Sequence, residues 1–127
     1  MEVKAIIVDD EPLILEIMEF DFQMQGAYIL TAEDTKQAIQ KLSESEKKNE
    51  KVDIIITDYL LKNETGIELA QSIRKEKYSN KPLIFLCTGN HLVCEKAAFD
   101  AGIVGIFQKP FNLDEISSTI QSKLLMR

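Results

Sequence analysis

The stretch that decides the fold is Lys4-Ala5-Ile6-Ile7-Val8-Asp9-Asp10-Glu11-Pro12, an apolar run that ends abruptly on an acidic pair. A second run repeats the design: Val52-Asp53-Ile54-Ile55-Ile56-Thr57-Asp58 also closes on a carboxylate. Short Ile- and Val-rich runs bounded by polar residues read as buried parallel strands. In such a sheet, ligands sit outside the carboxyl ends of the strands. If the two strands are neighbours, Asp9, Asp10 and Asp58 meet in one crevice. That crowding is costly unless a divalent cation neutralises it or one group takes up a proton.

Outward from these two runs, apolar stretches of strand length alternate with helical patterns. The first strand spans residues 3–8. Pro12 suits a first helical turn, and Leu13, Ile17, Phe20 and Met24 mark one face of the helix that follows. Gly26 stops it, and residues 28–31 form a short second strand. Asp34 caps a second helix with Gln37 three residues on, and Ala38, Ile39 and Leu42 form its inner face. The charged segment 43–51 has no apolar period and reads as a helix end running into a solvated loop. A third strand covers 52–57, and Gly66 opens a helix carrying Ile67, Ala70 and Ile73. A fourth strand covers 82–87, followed by a helix through Ala97 and Ala98 that stops near Gly102. A fifth strand covers 103–108. Asn112 with Glu115 is a second capping pair, ahead of Leu113, Ile116, Ile120 and Leu124.

Five strands alternating with five helices imply an α/β fold, a parallel sheet covered on both faces by right-handed crossovers. With the chain starting near the middle, the expected strand order is 2-1-3-4-5, which puts the ends of strands one and three at the switch point. A length of 127 residues fits one domain, residues 1–127, with a substantial core. The formal charge of −6, with no Lys/Arg cluster, argues against a generic binder of nucleic acid or membrane surfaces. Two cysteines and a single His offer neither a disulfide framework nor a zinc pattern, and Cys87, inside an apolar run, reads as a buried thiol. Without a signal region or an apolar stretch near 18 residues, the expected location is the cytoplasm.

Four elements fall at the carboxyl ends of strands: Asp9-Asp10, Asp58, Thr88-Gly89 and Lys109-Pro110. Taken singly, each has an ordinary explanation. Acidic pairs cap helices, a strand-end Asp turns the chain, and Thr-Gly and Lys-Pro are common surface turns. Together they converge on one edge of the sheet, and the chemistry they suggest is phosphoryl transfer. A carboxylate can form a covalent acyl phosphate. The transferred group carries negative charge, so positioning and charge neutralisation supply most of the catalysis. Carboxylates holding magnesium leave coordination positions open for a phosphate oxygen. Lys109 would bring an ammonium to a second oxygen, the Thr88 hydroxyl would bond a third, and Gly89 would leave room for entry.

At these residues the chain resembles the receiver domain of two-component response regulators. The resemblance rests on Val8-Asp9-Asp10-Glu11-Pro12, Thr57-Asp58-Tyr59 with Gly66 eight residues after the Asp, Cys87-Thr88-Gly89, Ala101-Gly102, and Gln108-Lys109-Pro110-Phe111. It implies a flavodoxin-like fold, for which the receiver fold itself is a standard illustration. It implies that Asp58 accepts a phosphoryl group from a histidine kinase or phosphotransfer protein. Asp10, Asp58 and the backbone carbonyl of Leu60 would ligate Mg2+, with Asp9 acting largely through bound water. Thr88 and Lys109 would read the phosphate, and the Lys109–Pro110 bond is expected to be cis.

The resemblance also implies a signalling surface on the fourth helix, fifth strand and fifth helix. That surface would serve a downstream effector or fused output domain, or a homodimer. Such a chain promotes its own phosphorylation and dephosphorylation and does not turn over external substrates. Both a stand-alone regulator and a receiver excised from a larger protein fit this sequence.

Several positions depart from the family pattern. Ile106 replaces the usual switch aromatic three residues before Lys109, while Phe107 should face the other side of its strand. Lys62 stands where proline is frequent, and Leu60 and Asn90 flank the expected path of attacking water. Activation is therefore expected to remodel residues 88–91 and the start of the next helix, with little rotamer change at the β-branched Ile106. An aspartate-nucleophile phosphatase is the competing enzyme reading. Its motif needs a second Asp two residues after the nucleophile, where this chain has Leu60. A binding module that never carries phosphate would lack key residues that are all present here. A flavin-binding flavodoxin would need a hydroxyl- and Gly-rich loop after the first strand, which is absent.

Overall fold

In the computed structural model, which describes residues 3–89, 93–109 and 112–126, strands and helices alternate as the pattern of apolar runs requires. β1 (Lys4–Val8), α1 (Pro12–Met24), β2 (Tyr28–Ala32), α2 (Thr35–Lys47) and β3 (Ile54–Asp58) form the first half of the chain. α3 (Gly66–Lys75), β4 (Leu83–Thr88), α4 (Glu95–Asp100), β5 (Ile103–Gln108) and α5 (Leu113–Leu125) form the second. The sheet order is β2-β1-β3-β4-β5, with every neighbouring pair parallel, as expected.

Alternation along the buried strands feeds two cores. Ile6, Val8, Ile55 and Leu86 point to one face, where Ala38 and Leu42 of α2, Leu69 and Ile73 of α3, and Ala98 of α4 cover them. Ala5, Ile7, Ile54, Ile56 and Phe85 point to the other, under Leu15, Met18 and Phe22 of α1 and Ile116 and Ile120 of α5. Successive strand residues alternate between faces, so unbroken Ile/Val runs supply both layers at once. Among the described residues, no helix is long and apolar enough to cross a membrane.

The helix starts carry their caps. Asp34 accepts from the Gln37 N–H at 2.8 Å and Asn112 from the Glu115 N–H at 3.1 Å. The sequence reading overlooked Thr65, whose hydroxyl accepts from the Glu68 N–H at 3.2 Å and starts α3. Gly102, at φ +100°, ends the α4 turn in the left-handed region, where a side chain would strain the backbone.

The structure adds to two of these readings. Leu13, Ile17, Phe20 and Met24 do form one face of α1, but they are 48–73% exposed, and Leu15, Met18 and Phe22 meet the sheet instead. The helix is apolar on two opposite sides, and periodicity alone cannot choose between two equally regular stripes. The charged segment 43–51 is, as expected, a helix end running into a solvated loop, with residues 47–51 all exposed, but its helical part is tied into the fold. α2 continues to Lys47, Ser45 is buried, and Lys4 Nζ donates to Ser45 Oγ at 3.1 Å while pairing with Glu50 at 2.7 Å. Glu46 accepts from the Ser79 N–H at 2.7 Å, so this end of α2 also anchors the approach to β4.

Candidate functional site

Sheet register brings the strand-end residues together. β1 and β3 are neighbours with Val8 opposite Thr57, so the residues that follow, Asp9 and Asp58, lie side by side. Asp58 pairs across to Cys87, and Thr88 to Gln108, immediately before Lys109. Each of Asp9, Asp10 and Asp58 offers a carboxylate oxygen within 4.8 Å of the others. A cavity of about 340 Å³ opens over them, lined by Asp10, Glu11, Asp58, Leu60, Gly89 and Lys109.

The three carboxylates are not equivalent. Asp9 is buried and both of its oxygens are engaged: Oδ1 accepts from the Glu11 N–H at 2.9 Å, and Oδ2 faces Lys109 Nζ at 3.4 Å. Asp58 is partly buried; its Oδ1 accepts from the Tyr59 N–H at 3.0 Å and lies 3.2 Å from Lys109 Nζ. Asp10 is exposed on the cavity wall. Lys109 therefore bridges the two less exposed acids, and its own N–H donates to Thr88 O at 2.7 Å, which fixes where its side chain starts.

Burial raises the Asp58 carboxyl above the ordinary aspartate range, and the charge of Asp9 adds to the rise; Lys109 and the Tyr59 N–H offset only part of it. For Lys109, burial favours the neutral amine, but the charges of Asp9 and Asp58 outweigh it and the ammonium is held more firmly than usual. Burial also pushes the Cys87 thiol up to about 12, so it is an inert core group, as its place in an apolar run suggested.

Thr88 is buried, and its Oγ1 has no hydrogen-bond partner. A buried orphan hydroxyl costs roughly 1–3 kcal/mol, and at the end of β4 it has the chemistry to donate to an oxygen placed there. A Cβ built on Gly89 would meet nothing within 4 Å, in keeping with open space at the entrance.

Leu60 is presented by a local bridge that sequence reading did not foresee. Leu60 and Thr65 pair antiparallel through Gly66 N–H to Tyr59 O at 2.7 Å and Leu61 N–H to Glu64 O at 2.9 Å. In that pairing pattern the N–H and C=O of the paired residue turn away from its partner. Leu60 thus directs its own carbonyl out of the bridge, as a metal ligand at this position requires. Hard oxygen donors, with three carboxylates set against one ammonium, suit a small divalent cation such as Mg2+.

On β5, Ile106 packs on the α3–α4 side of the sheet. Phe107 lies on the other side, stacked on Phe85 at 5.6 Å between ring centres, which is the orientation expected for it. Asn90, His91, Pro110 and Phe111 lie outside the described residues, and with them the expected cis bond and most of the 88–91 segment.

Comparison with known proteins bears on the family and the fold. The family model for the response regulator receiver domain matches residues 5–121. The alkaline phosphatase synthesis transcriptional regulatory protein PhoP of Bacillus subtilis is 26% identical over 124 residues, covering 98% of this chain and 49% of that protein. An uncharacterized transcriptional regulatory protein of the same organism, YrkP, is 28% identical over 124 residues, covering 98% of this chain and 50% of its own. The chain thus spans about half the length of these two relatives. Among solved structures, a response regulator receiver domain protein from Clostridium thermocellum superposes with a TM-score of 0.85 at 22% identity, covering 98% of this chain and 95% of that one. The chemotaxis response regulator CheY4 of Vibrio cholerae gives 0.81 at 25% identity, covering 96% and 98%.

Proposed function

Because the chain belongs to the response regulator receiver domain family, we propose that Asp58 is its phosphoacceptor and that Asp10, Asp58 and the Leu60 carbonyl hold Mg2+, with Asp9 in support. The observation that carries this reading is the meeting of three carboxylates, one shared lysine and one orphan hydroxyl at the carboxyl edge of β1, β3, β4 and β5. When bound, Mg2+ supplies charge neutralisation at a phosphoryl oxygen and lets the carboxylates share the crevice.

The protein's own groups perform the rest. An oxygen of the ionised Asp58 attacks phosphorus, and the bond from phosphorus to the donor's imidazole nitrogen breaks. The imidazole keeps the electron pair and takes a proton, and an acyl phosphate remains on Asp58. Lys109 keeps Asp58 ionised against its burial, then follows the new charge to a phosphoryl oxygen. Thr88 donates its unpartnered hydroxyl to another. Because these two residues touch the phosphate in only one state of the chain, they supply the differential contact that shifts the population toward the signalling form. The chain is a phosphoacceptor of the cytoplasm that signals through α4, β5 and α5 to an effector, a fused output domain or a second copy.

The exposed stripe on α1 gives the donor a place to sit. Leu13 begins it a few residues from Asp10, and Ile17, Phe20 and Met24 extend it for about 16 Å at 1.5 Å per residue. Glu16 and Asp21 edge it on either side, and α1 carries no basic residue. The charge pattern disfavours a second α1 and fits a helix of the phosphodonor whose own apolar stripe is edged by Lys or Arg. Phe20→Asp should slow transfer from a phosphohistidine protein roughly tenfold, as loss of a central apolar anchor does, while uptake from acetyl phosphate stays unchanged. Equal slowing with both donors would refute the assignment of this surface.

The function itself is tested by incubating the chain with acetyl phosphate and Mg2+. Intact mass should rise by one phosphoryl group, and the modification should map to the peptide containing Asp58. No uptake, or uptake on another peptide, would overturn the proposal.

A further inference from the structure

Thr57 is the one polar residue among the four that precede Asp58 on β3, and it is fully buried, where Ile54, Ile55 and Ile56 show that the strand asks only for β-branched apolar side chains. Its hydroxyl does something a valine could not: Oγ1 donates to the carbonyl oxygen of Asp58 at 3.0 Å. Gly66 approaches the same carbonyl closely. A Cβ on Gly66 would lie 2.6 Å from Asp58 O, 2.6 Å from Leu86 Cδ1 and 2.9 Å from Thr57 Cγ2, so no side chain fits unless the backbone moves. The Asp58 carbonyl is therefore bonded by a hydroxyl and packed against a bare Cα.

The next peptide units are held in turn. Tyr59 N–H donates to Cys87 O at 2.7 Å, Gly66 N–H to Tyr59 O at 2.7 Å, and Leu61 N–H to Glu64 O at 2.9 Å. The Asp58 carboxylate and the Leu60 carbonyl are two residues apart on this pinned segment. A displacement of the Asp58 backbone carries its carboxylate with it and, through Tyr59, shifts the Leu60 carbonyl, and with them the distance between nucleophile, metal and phosphoryl group.

Resting on the phosphoacceptor reading of Asp58, we propose that Thr57 and Gly66 are positioning residues. Together they clamp the Asp58 carbonyl, so that the carboxylate and the Leu60 carbonyl are preset for Mg2+ and for in-line attack. Neither residue touches the reacting atoms; they act through the backbone of Asp58. Misplacement of about 1 Å costs on the order of 10²-fold in rate, which sets the scale for the Gly66 clash. The lost Thr57 bond, which leaves the backbone in place but less constrained, should cost less.

The test measures Mg2+ affinity of the unphosphorylated chain by calorimetry, the rate and half-saturation of acetyl phosphate uptake, and thermal unfolding. Thr57→Val is nearly isosteric and keeps the β-branch. It should weaken Mg2+ binding about threefold and lower the maximal uptake rate roughly tenfold, with half-saturation in acetyl phosphate little changed. Thr57→Ser, which restores the hydroxyl, should recover both. Gly66→Ala should lose more of each, and Gly66→Ala/Leu86→Ala, which removes the clash with Leu86 but leaves those with the Asp58 carbonyl and Thr57 Cγ2, should remain as impaired.

Ile120→Val, a cavity in the far core, supplies a destabilised chain with an intact clamp and should keep wild-type Mg2+ affinity. If both glycine variants fail to fold, the Thr57 pair decides alone. Wild-type affinity and rate in Thr57→Val would overturn the proposal, as would Thr57→Ser impaired as severely as Thr57→Val, since packing would then be the whole effect. A wild-type chain that binds Mg2+ but takes no phosphate would defeat the functional reading instead, and the Mg2+ measurements would still judge the clamp. A wild-type chain that binds no Mg2+ would overturn the clamp along with the metal site.

Discussion

Asp58→Asn should abolish phosphate uptake from acetyl phosphate and, in the absence of Mg2+ at neutral pH, raise the melting temperature. An amide keeps the shape of the side chain and leaves an oxygen to accept the Tyr59 N–H, but it has no carboxylate lone pair with which to form an acyl phosphate. The stability effect follows from the raised Asp58 pKa, caused first by burial and then by the charge of Asp9. A carboxyl whose folded value lies above its unfolded value stabilises the fold fully below the ordinary aspartate range. That stabilisation is lost as pH rises through the folded value. At neutral pH the ionised Asp58 is a burden on the metal-free fold.

Removing that charge should be worth about 1 kcal/mol, or roughly 3–6 °C for a chain of this size. The gain should shrink as the pH falls through the folded Asp58 value, because the wild-type carboxyl is then neutral too. Added Mg2+ should reverse the order, stabilising the wild type by mass action and the variant little. Retained mass gain in Asp58→Asn would end the phosphoacceptor assignment. A lower melting temperature than wild type without Mg2+ would mean that the Lys109 pair, rather than burial, dominates at Asp58.

How far the sequence spoke for itself depended on whether a feature was local in the chain. The runs ending in Asp9-Asp10 and Asp58 announced strands, their parallel order and the acidic crevice, because a buried strand needs apolar residues on both faces and tolerates charge only at its end. Caps at Asp34 and Asn112 were legible for the same reason: the acceptor and its N–H are three residues apart. The capped start at Thr65, with Glu68 three residues on, carries the same signal.

The buried side of α1 is a different matter. Leu13-Ile17-Phe20-Met24 and Leu15-Met18-Phe22 are equally good helical stripes, and only the packed sheet decides which is inside. Lys4 and Ser45, 41 residues apart, could be joined only by tertiary structure. So could the clamp on Asp58, in which Gly66 matters for the side chain it lacks. The resemblance to receivers supplied the role of the Leu60 carbonyl; the antiparallel bridge that turns it outward appears only in the folded chain.

Asp10→Asn should weaken Mg2+ binding by roughly 10- to 100-fold, Asp9→Asn by less, and the double variant should abolish it. The difference follows from what each carboxylate already does. Asp9 Oδ1 is taken by the Glu11 N–H and Oδ2 by Lys109, so Asp9 can reach a cation only by giving up a partner or through an intervening water. Asp10 is exposed and lines the cavity, with the hydration and freedom that a direct ligand needs. Loss of a supporting residue around a metal typically costs 10- to 100-fold in affinity or activity, and loss of a ligand should cost at least as much.

The two substitutions should also differ without metal. Asp9→Asn removes the like charge that raises the Asp58 pKa and leaves Lys109 to Asp58 alone. Asp58 should then titrate closer to the ordinary range, so the pH interval over which its burden develops should narrow from above and the burden at neutral pH should shrink. Calorimetric titration of Mg2+ and melting curves with and without the ion measure both effects. A Mg2+-dependent rise in melting temperature that survives in Asp9→Asn/Asp10→Asn would place the cation elsewhere on the protein. An Asp9→Asn loss exceeding that of Asp10→Asn would mean that Lys109 releases Asp9 to the metal, and that the ion pair belongs to the metal-free state only.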